Sequence, residues 1–232
     1  MGKLVLVPTP IGNLGDITDR AKSALVEADV VLAEDTRTTG KLLKLLGLEA
    51  KLRAYHMHNE HAQADGIVRM IADSSGHVAL ASDAGTPGIS DPGFLLVRAC
   101  IQAGVVVEAL PGPTALIPAL VASGFPCDRF VFEGFVPQKK GRQTRIQSWR
   151  SEARTIVAYE SPHRLRKLLG EIVEWLGPDR GMCVVRELSK LHETYHRGTA
   201  AELAAYFTDV EPRGELVVVV EGAKSPAKSD EE

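Results

Sequence analysis

The feature that most limits what this chain can fold into is the regular alternation, through its first half, of short β-rich runs with helical patterns. Leu4–Val7, Val30–Ala33, Leu52–Tyr55, Val78–Ala81 and Val105–Leu110 read as strands. Asp19–Ala28, Arg37–Leu46, Glu60–Asp73, Phe94–Ala103 and Ala115–Ser123 read as the helices between and after them. Leu4–Val7 is apolar throughout, as a strand buried on both faces is. Thr18 stands where a helix N-cap belongs and Gly47 where a helix stops. Strand–helix–strand crossovers place helices on both faces of a mostly parallel sheet. The expected class is therefore α/β.

Composition shifts after Gly124-Phe125-Pro126. Beyond it Phe130–Glu133, Thr155–Tyr159, Met182–Arg186 and Leu216–Val220 read as strands. A basic helix follows the first of these, and Leu165–Leu176 and Ala200–Phe207 read as further helices. This is a second α/β unit with a mixed or antiparallel sheet. The boundary falls near residues 112–126, giving an N-terminal domain over 1–118, a C-terminal domain over 119–224 and a polar, disordered tail over 225–232. A chain of 232 residues can bury two small cores without disulfides or metals. Cys100, Cys127 and Cys183 form no C-x-x-C pair and sit among apolar residues, so they read as reduced core thiols. Neither a signal-peptide core nor a membrane-spanning run is visible, so a soluble cytoplasmic protein is expected.

A net charge of −3 argues against nucleic acid as a partner, but its distribution argues for it. Between Pro137 and Lys167, nine basic residues face two acids, Glu152 and Glu160. Such a segment on an acidic body forms either a phosphate-binding surface or a solvated helix face.

In open α/β sheets, ligands bind beyond the carboxyl ends of the strands. Three of those ends carry glycine- and proline-rich loops: Pro8-Thr9-Pro10-Ile11-Gly12-Asn13-Leu14-Gly15-Asp16, Ser82-Asp83-Ala84-Gly85-Thr86-Pro87-Gly88 running on to Asp91-Pro92-Gly93, and Pro111-Gly112-Pro113-Thr114-Ala115. One such loop is a tight turn; three at successive strand ends point to a ligand cleft. The chain lacks the P-loop signature, a G-x-G-x-x-G after its first strand and a G-x-S-x-G elbow, which argues against phosphotransferase, nicotinamide dehydrogenase and serine hydrolase chemistry.

These loops resemble the tetrapyrrole methylase superfamily. Phe132-Glu133-Gly134-Phe135-Val136-Pro137, Tyr159-Glu160-Ser161-Pro162-His163-Arg164-Leu165 and Arg186-Glu187-Leu188-Ser189-Lys190 are similar to its ribosomal RNA branch, and the likeness covers nearly all of residues 3–222. It implies two α/β domains with S-adenosylmethionine in a cleft between them, a homodimer, and 2′-O-methylation of a cytidine ribose in the decoding region of 16S ribosomal RNA, alone or within the small subunit. No metal is implied. Ser189 stands where the branch more often has threonine, which keeps the hydroxyl.

The resemblance also implies roles. Pro8, Thr9, Pro10, Gly12, Asn13, Ser82, Asp83, Ala84, Gly85, Thr86 and Pro87 would hold the methionine part of the cofactor. Thr114 and Ala115 would lie near its adenosine, with Phe132 and Gly134 closing over it. Lys139, Lys140, Arg142, Arg145 and Arg164 would face RNA phosphates. A ribose hydroxyl is a poor nucleophile, so a base or a nearby cation would assist, and the candidates are Lys190, Glu187, Glu160 and His163. A lysine of lowered pKa would take the proton; a charged one would stabilise the developing alkoxide. The alternative is that these charges pair structurally. The run Tyr55-His56-Met57-His58-Asn59-Glu60-His61 has metal-like imidazole spacing but no second ligand cluster, so His58 and Asn59 read rather as substrate contacts, with Asp35 and Arg37. Asp35 reads equally as a helix cap. Two other readings stand: a methyltransferase of the same fold acting on a precorrin-like tetrapyrrole, and an RNA-binding assembly factor without activity.

Overall fold

The computed structural model describes residues 2–224; the tail expected to be disordered, 225–232, lies outside the described residues. The chain divides into two compact units between Thr114 and Ala115.

The first unit runs β1 (Lys3–Val7), α1 (Asp19–Val26), β2 (Val30–Ala33), α2 (Thr36–Leu46), β3 (Leu52–Ala54), α3 (Glu60–Asp73), β4 (His77–Ala81), α4 (Phe94–Gln102) and β5 (Val106–Ala109). Its five strands are all parallel, in the order β3-β2-β4-β1-β5. Side chains alternate between faces along a strand, so one sheet feeds two cores. Leu4, Leu32, Val78 and Leu80 pack with Ile67 and Ile71 of α3 and with Leu96 and Cys100 of α4. Val5, Val7, Val31 and Ala79 pack with Ala21 and Leu25 of α1 and with Leu43 of α2. Each fully buried Leu or Ile contributes roughly 1.5–3 kcal/mol of transfer free energy. The neighbouring strands β4 and β1 send their helices to opposite faces, so the loops leaving them part at the carboxyl edge. That is where an open α/β sheet forms a ligand crevice.

The second unit runs α5 (Leu116–Ser123), β6 (Phe130–Phe135), α6 (Arg142–Ser148), β7 (Thr155–Glu160), α7 (Pro162–Leu176), β8 (Gly181–Arg186), β9 (Thr194–Thr199), α8 (Ala200–Asp209) and β10 (Leu216–Val220). The sheet is mixed, in the order β6-β7-β10-β8-β9: β6 and β7 are parallel, and every other pair is antiparallel. One face packs Ile156, Ala158, Met182, Val184 and Val218 against α6, α7 and α8, with Trp149 and Phe207 among the largest side chains. The alternate residues Val157, Cys183, Val185, Val217 and Val219 are buried as well, and α5 lies against β7, β8 and β10.

Four expectations need correction. The strand β9 was not anticipated, because Thr-Tyr-His-Arg-Gly-Thr carries no apolar run; as an edge strand it needs none. The helix α7 begins at Pro162 rather than Leu165, with the Ser161 side chain accepting from the His163 N–H and proline in its first turn. The basic helix spans only Arg142–Ser148 before a short 3-10 turn. Cys100 and Cys183 are buried core thiols, but Cys127 is exposed.

Candidate active-site loops

At the carboxyl edge of the first sheet, the three glycine- and proline-rich loops interlock. Thr9 and Gly85 exchange two backbone hydrogen bonds of 2.9 Å. The Thr9 hydroxyl donates to the Ser82 carbonyl at 3.0 Å, and the Ser82 hydroxyl to the Gly85 carbonyl at 2.9 Å. The Thr86 hydroxyl reaches the Pro113 carbonyl at 3.1 Å. Gly112 runs so close to Pro8 that a Cβ there would lie 2.8 Å from the Pro8 Cβ, which only glycine avoids. Thr9, Ser82 and Thr86, expected as ligand contacts, thus spend their hydroxyls shaping the loops. Pro8, Gly85 and Pro87 are buried within them, while Gly12, Asn13 and Ala84 are exposed and Pro10, Thr114 and Ala115 half-buried. Asn13 caps the short turn that follows it, accepting from the Gly15 N–H at 2.9 Å.

Beside these loops sit three carboxyls. Glu34 follows β2, and Asp83 and Asp91 belong to the loop after β4; Asp83 accepts from the Asp35 N–H at 3.1 Å. Burial raises the pKa of all three above the ordinary carboxylate value, and neighbouring carboxylates add to it: Asp83 for Glu34, Asp35 for Asp83, and Glu34 and Asp83 for Asp91. Asp91 is pushed up to about 7. None of the three forms an ion pair among the described residues. Glu34 and Asp91 are not among the sequence candidates: Asp91 stands in the Asp91-Pro92-Gly93 motif without a role attached to it, Glu34 carries no local signal, and only the fold brings them to Asp83.

An acid with a raised folded-state pKa is stabilised protonated, so stability falls as pH climbs from the ordinary value of 3.8 through about 7. A shift of this size would be worth roughly 4 kcal/mol, which partial exposure to solvent reduces to roughly 1–2. Asp91→Asn is therefore expected to unfold at higher denaturant concentration than wild type at about pH 8 and to match it near pH 4. Parallel pH profiles for the two proteins would refute the assignment.

Of the expected substrate contacts in this unit, Asp35 is the N-cap of α2: its carboxylate accepts from the Arg37 N–H at 2.8 Å and pairs with the Arg37 guanidinium at 2.7 Å. That side-chain hydrogen bond holds the Asp35 pKa down at about 2. The two residues are occupied with each other. Asn59 closes its own turn, accepting from the His56 N–H at 2.8 Å, whereas His58 is exposed with its ring 5.9 Å from that of His56. Among the described residues, no group of three or more His, Cys, Asp or Glu side chains is placed to hold a metal ion.

In the second unit the three motifs converge on one sheet edge. Leu216 at the start of β10 is paired with Glu160 at the end of β7 and with Arg186 at the end of β8, and Phe135 at the end of β6 is paired with Tyr159. The loop after β8 is strained. Glu187 and Ser189 have φ of +53° and +66°, unusual for residues with side chains. Ser90, in the loop after β4, is the remaining such residue among those described. Strain of this kind gathers where function over-determines the backbone.

The Lys190 ammonium lies 3.0 Å from Glu187 and 3.1 Å from Glu215. Burial disfavours its charge, but hydrogen bonds to both carboxylates outweigh that and hold its pKa above the ordinary lysine range. Glu187 also accepts from the Glu215 N–H at 2.9 Å, which keeps its own pKa low against burial. Of the two roles open to Lys190, this environment favours the charged one. Glu187 is an anion already in use.

Glu160 and Arg142 are corrected. Arg142, expected to face RNA, is only 3% exposed and donates to Glu171 at 2.8 Å and to Glu160 at 3.3 Å. Glu160 has no side-chain exposure and also accepts from the Ser161 N–H and the Arg164 guanidinium, each at 2.8 Å. It is the hub of a buried ion network. Arg164 is largely committed to that network. His163 is exposed in the first turn of α7, and Lys139, Lys140 and Arg145 are exposed, Arg145 with Glu133 at 2.6 Å. Phe132 packs edge-on to Tyr159 at 5.1 Å, and Gly134 lies in the β6 irregularity.

A doubly wound parallel sheet with interlocked loops at its carboxyl edge, followed by a five-stranded mixed sheet, is the architecture of a class of methyltransferases. A structure of uroporphyrin-III C-methyltransferase from Thermus thermophilus, complexed with S-adenyl homocysteine, has the same fold: the TM-score is 0.63 at 22% identity, covering 95% of this chain and 97% of that one. The family model of tetrapyrrole (corrin/porphyrin) methylases matches residues 3–204, and the chain belongs to that family. It is 49% identical over 224 residues to ribosomal RNA small subunit methyltransferase I of Synechocystis sp., covering 96% of this chain and 80% of that one. With the protein of the same name from Thermotoga maritima it shares 44% identity over 222 residues, 96% and 99% of the two chains.

Proposed function

We propose that this chain is an S-adenosylmethionine-dependent methyltransferase of small-subunit ribosomal RNA, acting on the ribose 2′-oxygen of a cytidine in the decoding region. The observation that carries this reading is the likeness of almost the whole chain to relatives named as small-subunit ribosomal RNA methyltransferases. The tetrapyrrole alternative is weaker, because its structural neighbours share the fold at about a fifth identity and fold alone does not carry an acceptor. The family resemblance supports a homodimer working in the cytoplasm. Among the described residues, no helix is long and apolar enough to cross a membrane.

The residues present fit the cofactor. Glu34, Asp83 and Asp91 form a carboxyl cluster without a cation of its own, suited to a ligand that carries an ammonium and a sulfonium. The interlocked loops present backbone donors and acceptors at close approach. When bound, S-adenosylmethionine supplies a methyl group on a cationic sulfur, which leaves as a neutral thioether. What the chain contributes is position and electrostatics: the loops orient the ligand, and Lys190 offers a fixed positive charge to the alkoxide that develops on the ribose.

The test is tritium transfer from labelled S-adenosylmethionine to small ribosomal subunits lacking native methylation, followed by nucleoside analysis. The expected product is 2′-O-methylcytidine, and Asp83→Ala should abolish both cofactor binding and transfer without unfolding the protein. Cofactor binding without label in RNA would overturn the acceptor in favour of a small molecule. Absence of cofactor binding would leave the reading of an inactive assembly factor.

A further inference from the structure

The strand β6 breaks its register between Phe132 and Phe135, where Gly134 adopts a φ of +61°. Three residues apart on a regular strand, the two phenylalanines would point to opposite faces. The bulge turns them to the same side, and both rings meet Tyr159: Phe132 edge-on at 5.1 Å and Phe135 tilted at 5.4 Å. Phe132 is half-buried, but Phe135 is 56% exposed. A large ring fixed by its backbone and left in water adds little to the core.

The segment that follows is pinned from below. The Val136 carbonyl accepts from Arg164 at 3.4 Å, the Pro137 carbonyl from the Arg142 guanidinium at 3.1 Å, and the Lys139 carbonyl from the Arg142 N–H at 3.3 Å. Those arginines are turned inward to the Glu160 network, so they order the loop instead of meeting a ligand. The loop then presents Lys139 and Lys140, both exposed and without an ion pair among the described residues. By contrast Arg142, Arg145, Arg154 and Arg164 all have carboxylate partners. An ordered, exposed aromatic ring followed by two unneutralised cations is the combination with which proteins take up unpaired nucleic acid: bases stack on the ring and phosphates meet the cations. An apolar protein partner would instead call for further apolar residues where Gln138, Lys139 and Lys140 stand.

We propose that Phe135 is a stacking platform for an unpaired nucleobase of the RNA substrate, with Lys139 and Lys140 taking adjacent phosphates. This deepens the RNA reading above and rests on it. The platform discriminates by ring stacking and so holds an unpaired base without reading its hydrogen-bonding edge.

The test is fluorescence anisotropy with a short labelled oligocytidylate and, as a charge control, an abasic ribose-phosphate oligomer of equal length. Phe135→Ala should weaken oligocytidylate binding roughly tenfold or more and leave the abasic oligomer unaffected, while Phe135→Trp retains affinity. The double variant Lys139→Gln, Lys140→Gln should weaken both oligomers and lower the log–log salt slope by roughly one unit or slightly more. Unchanged oligocytidylate binding by Phe135→Ala, or equal losses on both oligomers, would overturn the platform. If wild type methylates small subunits while Phe135→Ala behaves in either of those ways, the platform fails alone. If wild type transfers no methyl group to RNA, the parent reading fails and takes the platform with it.

Discussion

Replacing Lys190 by methionine is expected to lower the maximal rate of methyl transfer roughly a hundred- to a thousandfold, the cost of removing one preorganised charge at a developing oxyanion. Cofactor affinity and folding should change little. The Lys190 ammonium is about a quarter exposed, Glu215 is 77% exposed, and Glu187 keeps its hydrogen bond to the Glu215 N–H without it. Loss of such a pair costs at most about 1 kcal/mol. Arginine at this position keeps the charge but not the compact ammonium between the two carboxylates, so it should recover only part of the rate. A pH–rate profile separates the two roles of a lysine. A charged stabiliser gives a rate that falls only above the ordinary lysine pKa of 10.5, because the hydrogen bonds to Glu187 and Glu215 raise the folded value. A lysine acting as base would give a rate that climbs toward that pKa. Single-turnover kinetics on methyl-free subunits provide the measurement, and an undiminished rate in the methionine variant would remove Lys190 from the chemistry.

Arg142→Met is expected to destabilise the protein by roughly 3–5 kcal/mol, because it leaves buried carboxylates without their counter-charge. Glu160 has no side-chain exposure and Glu171 has 12%. The partner Arg164 remains on Glu160, but from the half-exposed first turn of α7. Against a typical total of roughly 5–15 kcal/mol, this is a large fraction of the stability. A double variant, Arg142→Met with Glu171→Gln, removes the charge together with the carboxylate nearest to it, while Glu160 keeps Arg164, and should be less destabilised than the single one. Denaturant midpoints of the three proteins measure the coupling. A loss below about 1 kcal/mol in Arg142→Met would mean that the network is solvated and contributes little. The same arginine pins Pro137 and Lys139, so milder substitutions that still fold should also loosen the loop carrying Phe135.

Much of the architecture is legible in the amino-acid sequence. The helix Glu60–Asp73 and the strands Val30–Ala33 and Leu216–Val220 fall where their patterns place them, and Thr18 and Gly47 cap α1 and α2 as their residue types suggest. These signals are local: a period, a hydroxyl at a helix start, a glycine past a helix end. Polar strand β9 escaped, because an edge strand is defined by its neighbour and not by its own composition. The first turn of α7 escaped because the Ser161-Pro162 start is a cap signal that the apolar periodicity, beginning at Leu165, does not contain.

Charge was the least legible property. Arg142 and Arg145 are three residues apart in one basic run, yet the first is buried against Glu160 and Glu171 and the second half-exposed on Glu133. Asp83 meets the Asp35 backbone across 48 positions of chain, and Glu34 and Asp91 join them only because β2 and β4 are neighbours in the sheet. The sequence by itself determined the order of elements in the first unit, its α/β class, the loops at the strand ends and the family, since each of these is written in short-range patterns. Only the tertiary structure decided which hydroxyls tie loops together, which charges are buried partners and which are free to meet a ligand. A charge's free energy depends on its burial and on the charges within a few ångströms, and neither is set until distant strands lie side by side.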